Sequence, residues 1–172
     1  GGTGSWSKPY REAGYDVRTI DLQEWRDGEG GTGDVRLMEF CHDPIHGVLA
    51  APPCTNLAVS GARWWKDKGV EGLLTALSVA DACVRIATAH RPKWWALENP
   101  VGRLRRFLGP PKYIFNPCDH GDPYTKRTCL WGDFTVPAQT PVDPTEGSKM
   151  WKLPPSKDRA LKRSETAPGF AK

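Results

Sequence analysis

Apolar residues fall into a few short blocks along the chain, and the longest patterned block is helical. Leu73, Leu74, Leu77, Ala80, Val84 and Ala87 recur at three- and four-residue steps, which predicts a helix over 71–90 with one face toward a core. Two continuous apolar runs flank it. Gly47-Val48-Leu49-Ala50-Ala51 and Trp94-Trp95-Ala96-Leu97 show no alternation, the pattern of strands buried on both faces. The first stops at Pro52-Pro53-Cys54 and the second at Glu98-Asn99-Pro100. A further strand is predicted over 127–131, and 16–20 alternates toward another that ends at Asp21. Shorter helices are expected over 6–13, closed by Gly14, over the basic stretch 101–108, and near 156–163 and 166–172. Residues 23–34 are polar and glycine-rich, a loop ending at Asp34.

Strand, helix and strand in alternation predict an α/β fold with an open, mostly parallel sheet flanked by helices. In such sheets ligands bind beyond the carboxyl ends of the strands. Cys54 and Glu98 sit at two of these ends, and one intervening helix makes their strands parallel neighbours, roughly 5 Å apart. Asp21 and the glycine turn at Gly1-Gly2-Thr3-Gly4-Ser5 occupy similar places. A turn of this kind follows an apolar strand and none precedes Gly1, so residues upstream are expected. The expected organisation is one catalytic domain over 1–172, with a proline- and charge-rich segment at 137–172 and no internal repeat.

Composition adds less. The net charge of +4 and pI near 8.8 permit a nucleic-acid partner without requiring one. Five cysteines, odd in number and irregularly spaced, do not form a disulfide framework and suit a reducing cytoplasm. No apolar run reaches the roughly 20 residues of a membrane span, and no leader pattern opens the chain, so no membrane partner is expected.

In order along the chain, several segments resemble the cytosine carbon-5 DNA methyltransferases. Ala51-Pro52-Pro53-Cys54 is similar to the proline–cysteine motif of that family, and Leu97-Glu98-Asn99-Pro100 to its glutamate–asparagine motif. Val59-Ser60-Gly61-Ala62-Arg63 resembles the loop that closes over the target base. Gly1 to Gly4, Asp21 and Gly33-Asp34-Val35 resemble the cofactor segments, and Thr166 to Ala171 is faintly like the last family motif. The likeness is to short, bacteriophage-type members.

The resemblance implies a Rossmann-like class I fold using S-adenosylmethionine and releasing S-adenosylhomocysteine, with DNA as partner. Cys54 would be the nucleophile and Glu98 its acid. Gly2, Gly4, Ser5, Trp6, Asp21, Asp34 and Pro52 would hold the cofactor. Ser60, Arg63, Asn99 and Pro100 would hold the base. Lys126 and Arg127, in Tyr124-Thr125-Lys126-Arg127, only approximate the family's arginine motif, and which of them stands in is open. Proline replaces the usual valine after Asn99. No room follows Trp131 for a target recognition domain, so a short or loose target, or a separate polypeptide giving specificity, is expected. A host-cell cytoplasmic location follows.

Each signal has a plainer reading. Pro-Pro-Cys or Glu-Asn-Pro alone is often a structural turn, and Asp21 and Asp34 alone are often solvated carboxylates. Trp94 and Trp95 read as core packing, whereas Trp64 and Trp65 stay open between packing and stacking on nucleic acid. Arg103, Arg105 and Arg106 read as a solvated helix face, with phosphate contact the minority view. Cys41, His42, Cys118 and His120 fit no standard zinc spacing, so no metal is expected. Two alternatives remain: a catalytically impaired module that keeps the fold and holds DNA or a partner, and the same chemistry on RNA or nucleotides.

Overall fold

The computed structural model describes residues 4–22, 31–39 and 43–171. In chain order its helices are α1 (Lys8–Glu12), α2 (Trp65–His90), α3 (Arg105–Leu108), α4 (Lys149–Lys152), α5 (Arg159–Ser164) and α6 (Pro168–Ala171). Its strands are β1 (Ile20–Asp21), β2 (Gly31–Thr32), β3 (Gly47–Ala50), β4 (Trp94–Pro100), β5 (Tyr113–Phe115) and β6 (Thr128–Asp133). Two compact units divide them. One comprises residues 1–34, 115–127 and 136–172; the other comprises 35–114 and 128–135.

The second unit holds the main core. Its four-stranded sheet runs β3-β4-β6-β5. β3 and β4 are parallel, with Ala50 opposite Leu97, as the intervening helix predicts. β4 and β6 are antiparallel, with Glu98 opposite Leu130, so the sheet is mixed rather than mostly parallel. An apolar run reports burial on both faces, not direction, which is why the expectation failed here. Ala76 and Ala80 of α2 join Ala50, Leu57, Leu97, Leu104, Cys129 and Trp131 in the core, with Leu73, Leu77 and Val84 packed against them. Leu57, Leu97, Leu104 and Leu130 are at most 1% exposed, each contributing about 1.5–3 kcal/mol.

The helix begins earlier than its apolar stripe, at Trp65, and is broken at Gly69, whose φ of 60° and ψ of −165° only glycine adopts readily. By length and composition alone the stretch Val59–His90 is long and apolar enough to cross a bilayer, a property that core helices of folded domains share. Its core-facing alanines and leucines show what that hydropathy serves in the fold.

β4 also runs further than predicted, through Glu98, Asn99 and Pro100. Proline lacks an N–H and is tolerated because it ends the strand.

The first unit is built from shorter pieces. α1 ends at Glu12 and is capped by Ala13 before Gly14, whose φ is 87°. The predicted strand over 16–20 shrinks to Ile20–Asp21, which pairs in parallel with Gly31–Thr32. The C-terminal segment folds back within this unit. Phe170 of α6 stacks on Phe115 at 4.1 Å between ring centroids and lies 5.2 Å from the buried His120 ring.

Candidate active site

The turn that carries Cys54 is held by nearly every carbonyl it has. Leu57 and Ala58 donate their N–H groups to the Cys54 carbonyl, each at 2.9 Å, closing a tight turn immediately after Pro53. Lys68 Nζ donates to the Thr55 carbonyl at 2.9 Å, and Arg103 Nε to the Asn56 carbonyl at 2.8 Å. Arg103 N–H donates to the Leu57 carbonyl and Val59 N–H to the Val101 carbonyl, both at 2.9 Å. The chain after β4 thus runs against the chain after Cys54. Their approach is so close that a Cβ on Gly102 would lie 2.0 Å from the Leu57 carbonyl oxygen.

The glutamate motif meets the cysteine motif in the same place. Because Leu97 is opposite the last residue of β3, Glu98 lies one step beyond the parallel ladder, where the neighbouring chain has already become Ala51-Pro52-Pro53-Cys54. Asn99, fully buried, donates from Nδ2 to the carbonyl of Pro52, itself buried, at 2.9 Å. Cys54 and Glu98 are each half-buried. Cys54, Cys83, Cys118 and Cys129 form no disulfide. Burial pushes the Cys83 thiol up to about 11, which keeps it protonated at neutral pH.

Three of the four buried side-chain polar atoms without a hydrogen-bond partner among the described residues gather around this turn: Asn99 Oδ1, Arg103 Nη2 and Trp65 Nε1. Such atoms are uncommon in folded proteins and mark places with hydrogen-bonding capacity to spare.

Arg103 is not on a solvated face. It turns inward, 4.5 Å above the Trp65 ring, whereas Arg105 and Arg106 are exposed. The tryptophan pair divides accordingly. Trp65 is half-buried under Arg103, and Trp64 is 51% exposed with Arg63 at 4.9 Å from its ring centroid. Ser60 and Arg63 are exposed on a 3-10 stretch, Val59–Trp64. Pro100 pairs with Thr128, and Lys126 and Arg127 immediately precede that residue. Lys126 Nζ donates to the Glu165 carbonyl at 3.1 Å, and Arg127 is exposed. The roles of Asn56, Lys68 and Gly102 were missed, because single polar residues and glycines in a loop carry no periodic signal.

Within the first unit, Gly4 has a φ of 61°, and its carbonyl accepts from Ser7 N–H, Lys8 N–H and Ser7 Oγ. Thr166 N–H donates to Ser5 Oγ at 2.9 Å, and the Trp6 and Phe170 rings lie 6.2 Å apart. The two terminal motifs therefore meet. Asp21 on β1 accepts at its carbonyl from Gly33 N–H, so Asp21 and Asp34 lie on adjoining segments. Gly2 lies outside the described residues, as do Cys41 and His42. No cluster of three His, Cys, Asp or Glu suited to a metal occurs among the described residues.

No protein-family model matches the chain, and no curated protein does. Among solved structures it is similar to a protein named as a DNA modification methyltransferase, encoded within a prophage of E. coli. The TM-score is 0.53 and the identity 16%, over 83% of this chain and 50% of that one. The likeness is one of fold. The chain spans half the length of the structure it matches.

Proposed function

We propose that this chain is the catalytic core of a cytosine carbon-5 DNA methyltransferase of the Rossmann-like class I type. The observation that carries the reading is the parallel register of β3 and β4, which sets Glu98-Asn99 beside the Pro52-Pro53-Cys54 turn and joins them through the Asn99–Pro52 hydrogen bond.

Cytosine carbon 5 is a weak nucleophile. Addition of the Cys54 thiolate to carbon 6 pushes charge onto ring nitrogen 3, where a proton on Glu98 stabilises it. Carbon 5 then carries enamine character and takes a methyl group. Loss of the carbon-5 proton and expulsion of Cys54 restore the ring. Such an attack requires the base to leave the stack, and Ser60 and Arg63 are the residues to receive it, with Lys126 or Arg127 completing its hold. Asn99 and Arg103 keep the cysteine turn from moving.

S-adenosylmethionine would supply the electrophilic methyl group. The donors of the first unit fit it: a left-handed glycine at Gly4, Ser5 and Trp6 beside it, and the Asp21 and Asp34 carboxylates for its ribose and adenine. Pro52 and, outside the described residues, Gly2 complete the proposed set. S-adenosylhomocysteine would be the product, and the host cytoplasm the place of action.

The test is transfer of labelled methyl from S-adenosylmethionine to cytosine-containing duplex DNA, with Cys54→Ala alongside. Label on carbon 5 that vanishes in the variant is the expected result. No transfer to duplex, single-stranded, RNA or nucleotide substrates would sink the proposal. At 16% identity the likeness is one of fold alone, which leaves a second reading, a non-catalytic module or one needing a separate specificity polypeptide. Calorimetry separates that reading, since a module that has lost the cofactor site binds no S-adenosylmethionine.

A further inference from the structure

The charge of the chain is concentrated outside the Cys54 turn. Residues 149–163 contain Lys149, Lys152, Lys157, Arg159, Lys162 and Arg163 against Asp158 alone, a net of +5. The remaining residues hold 18 basic and 19 acidic side chains, so the whole net charge of +4 traces to this one segment.

Its structure orders that charge. Arg159 Nη2 donates to the Trp151 carbonyl at 3.4 Å, which ties α5 to α4. Lys149 is ion-paired with Glu146 at 2.8 Å and sits 5.3 Å from the Tyr124 ring centroid, anchoring the segment. Among the described residues Lys152 donates to the neutral Glu146 carbonyl alone, at 3.3 Å, so its charge is not cancelled there. Lys152, Lys157 and Lys162 are exposed, and Trp151 among them is 63% exposed.

A face kept merely soluble mixes both signs and hides its large aromatic side chains. This one is six to one basic and leaves Trp151 exposed. We infer that residues 149–163 form a DNA-binding strip, in which Lys152, Lys157 and Lys162 contact backbone phosphates and Trp151 stacks on an unpaired base. The strip rests on the proposed DNA methyltransferase reading for its choice of polyanion. It supplies a sequence-independent hold on the nucleic acid.

Each phosphate contact releases a counterion, so affinity falls with salt with a log–log slope of about −0.9 per contact. Fluorescence anisotropy with a labelled duplex, from about 50 to about 200 mM salt, measures that slope. Neutralising Lys152→Gln, Lys157→Gln and Lys162→Gln together is expected to reduce it by about 2.7. The affinity advantage of the wild type then shrinks about 40-fold across that salt range. Trp151→Ala is expected to weaken binding to single-stranded DNA about tenfold or more, leaving the duplex slope unchanged.

An unchanged slope in the triple variant overturns the strip. So does preferential loss of binding to anionic phospholipid vesicles, which would make the partner a membrane surface. The methyl-transfer assay, run in parallel, keeps the two proposals apart. Transfer with an unchanged slope removes the strip alone, and a changed slope without transfer removes the enzyme reading alone.

Discussion

The turn around Cys54 and the turn around Gly4 are both held by hydrogen bonds, but by different kinds. At Cys54 the partners are side chains from elsewhere in the unit and a neighbouring backbone segment, and the buried Asn99 and the half-buried Arg103 and Lys68 each satisfy a different carbonyl. At Gly4 the partners are mostly the next few residues of the same chain, with Ser5 Oγ reaching out to Thr166 N–H. The first arrangement stiffens the turn that carries Cys54, the proposed nucleophile, in one place. The second leaves a small turn whose order depends on a distant segment docking onto it. A thiolate that must meet one ring carbon gains from rigidity, because a misplacement of about 1 Å can cost roughly 100-fold in rate.

A matched pair of glycines offers the sharpest way to break that contrast. A Cβ on Gly102 would lie 2.0 Å from the Leu57 carbonyl oxygen, and one on Gly169 would lie 1.9 Å from the His120 carbonyl oxygen. The collisions are alike, but the surroundings differ. Gly102→Ala is expected to cost about 4 kcal/mol in urea unfolding, because neither the Cys54 turn nor the chain after β4 can retreat. Gly169→Ala is expected to cost about 1–2 kcal/mol, since the short α6 can lift off. Its signature would be early proteolysis beyond residue 165. Equal costs would show that the two regions are equally rigid.

Removing one polar partner from each region should separate them again. Asn99→Leu fills similar volume but leaves the buried Pro52 carbonyl without its donor, an expected loss of about 3 kcal/mol. Ser5→Ala removes a bond at a half-buried site and is expected to cost about 1 kcal/mol or less. Thermal melts of both variants give the comparison.

A further effect in the second unit concerns pH. The Cys83 thiol, raised by burial from 9.0 to about 11, ionises in the unfolded chain before it does in the fold. Its stabilising contribution is therefore intact below pH 9 and is lost as pH rises toward 11. That amounts to about 2 kcal/mol, which Cys83→Ala should remove from the pH dependence measured between those values.

Much of the second unit was legible because its signals are continuous. The stripe from Leu73 to Ala87 and the runs at 47–51 and 94–97 each specify a buried element by themselves, and the parallel pairing of β3 with β4 follows from the helix between them. Strand direction at β6 was not legible, since Thr128 to Trp131 would look the same either way along the sheet. Nor was the continuation of β4, because Glu98, Asn99 and Pro100 are residues that usually end a strand. Of the candidate site, the juxtaposition of the two motifs could be read in advance, but the clamp could not. Arg103 reads as one more exposed cation until the Trp65 ring and the Asn56 carbonyl are seen to enclose it. In the first unit β1 and β2 have two residues each, too few for any periodicity.

The bond from Thr166 to Ser5 also sets an order in time. At roughly 5–20 residues per second, some 10–30 s of synthesis separate the emergence of Ser5 from that of its partner. The unit bearing Cys54 draws on nothing later than residue 135, so its parts are all available first. A nascent chain would carry the parts of its cysteine turn about 2–6 s before the glycine turn acquires its last support.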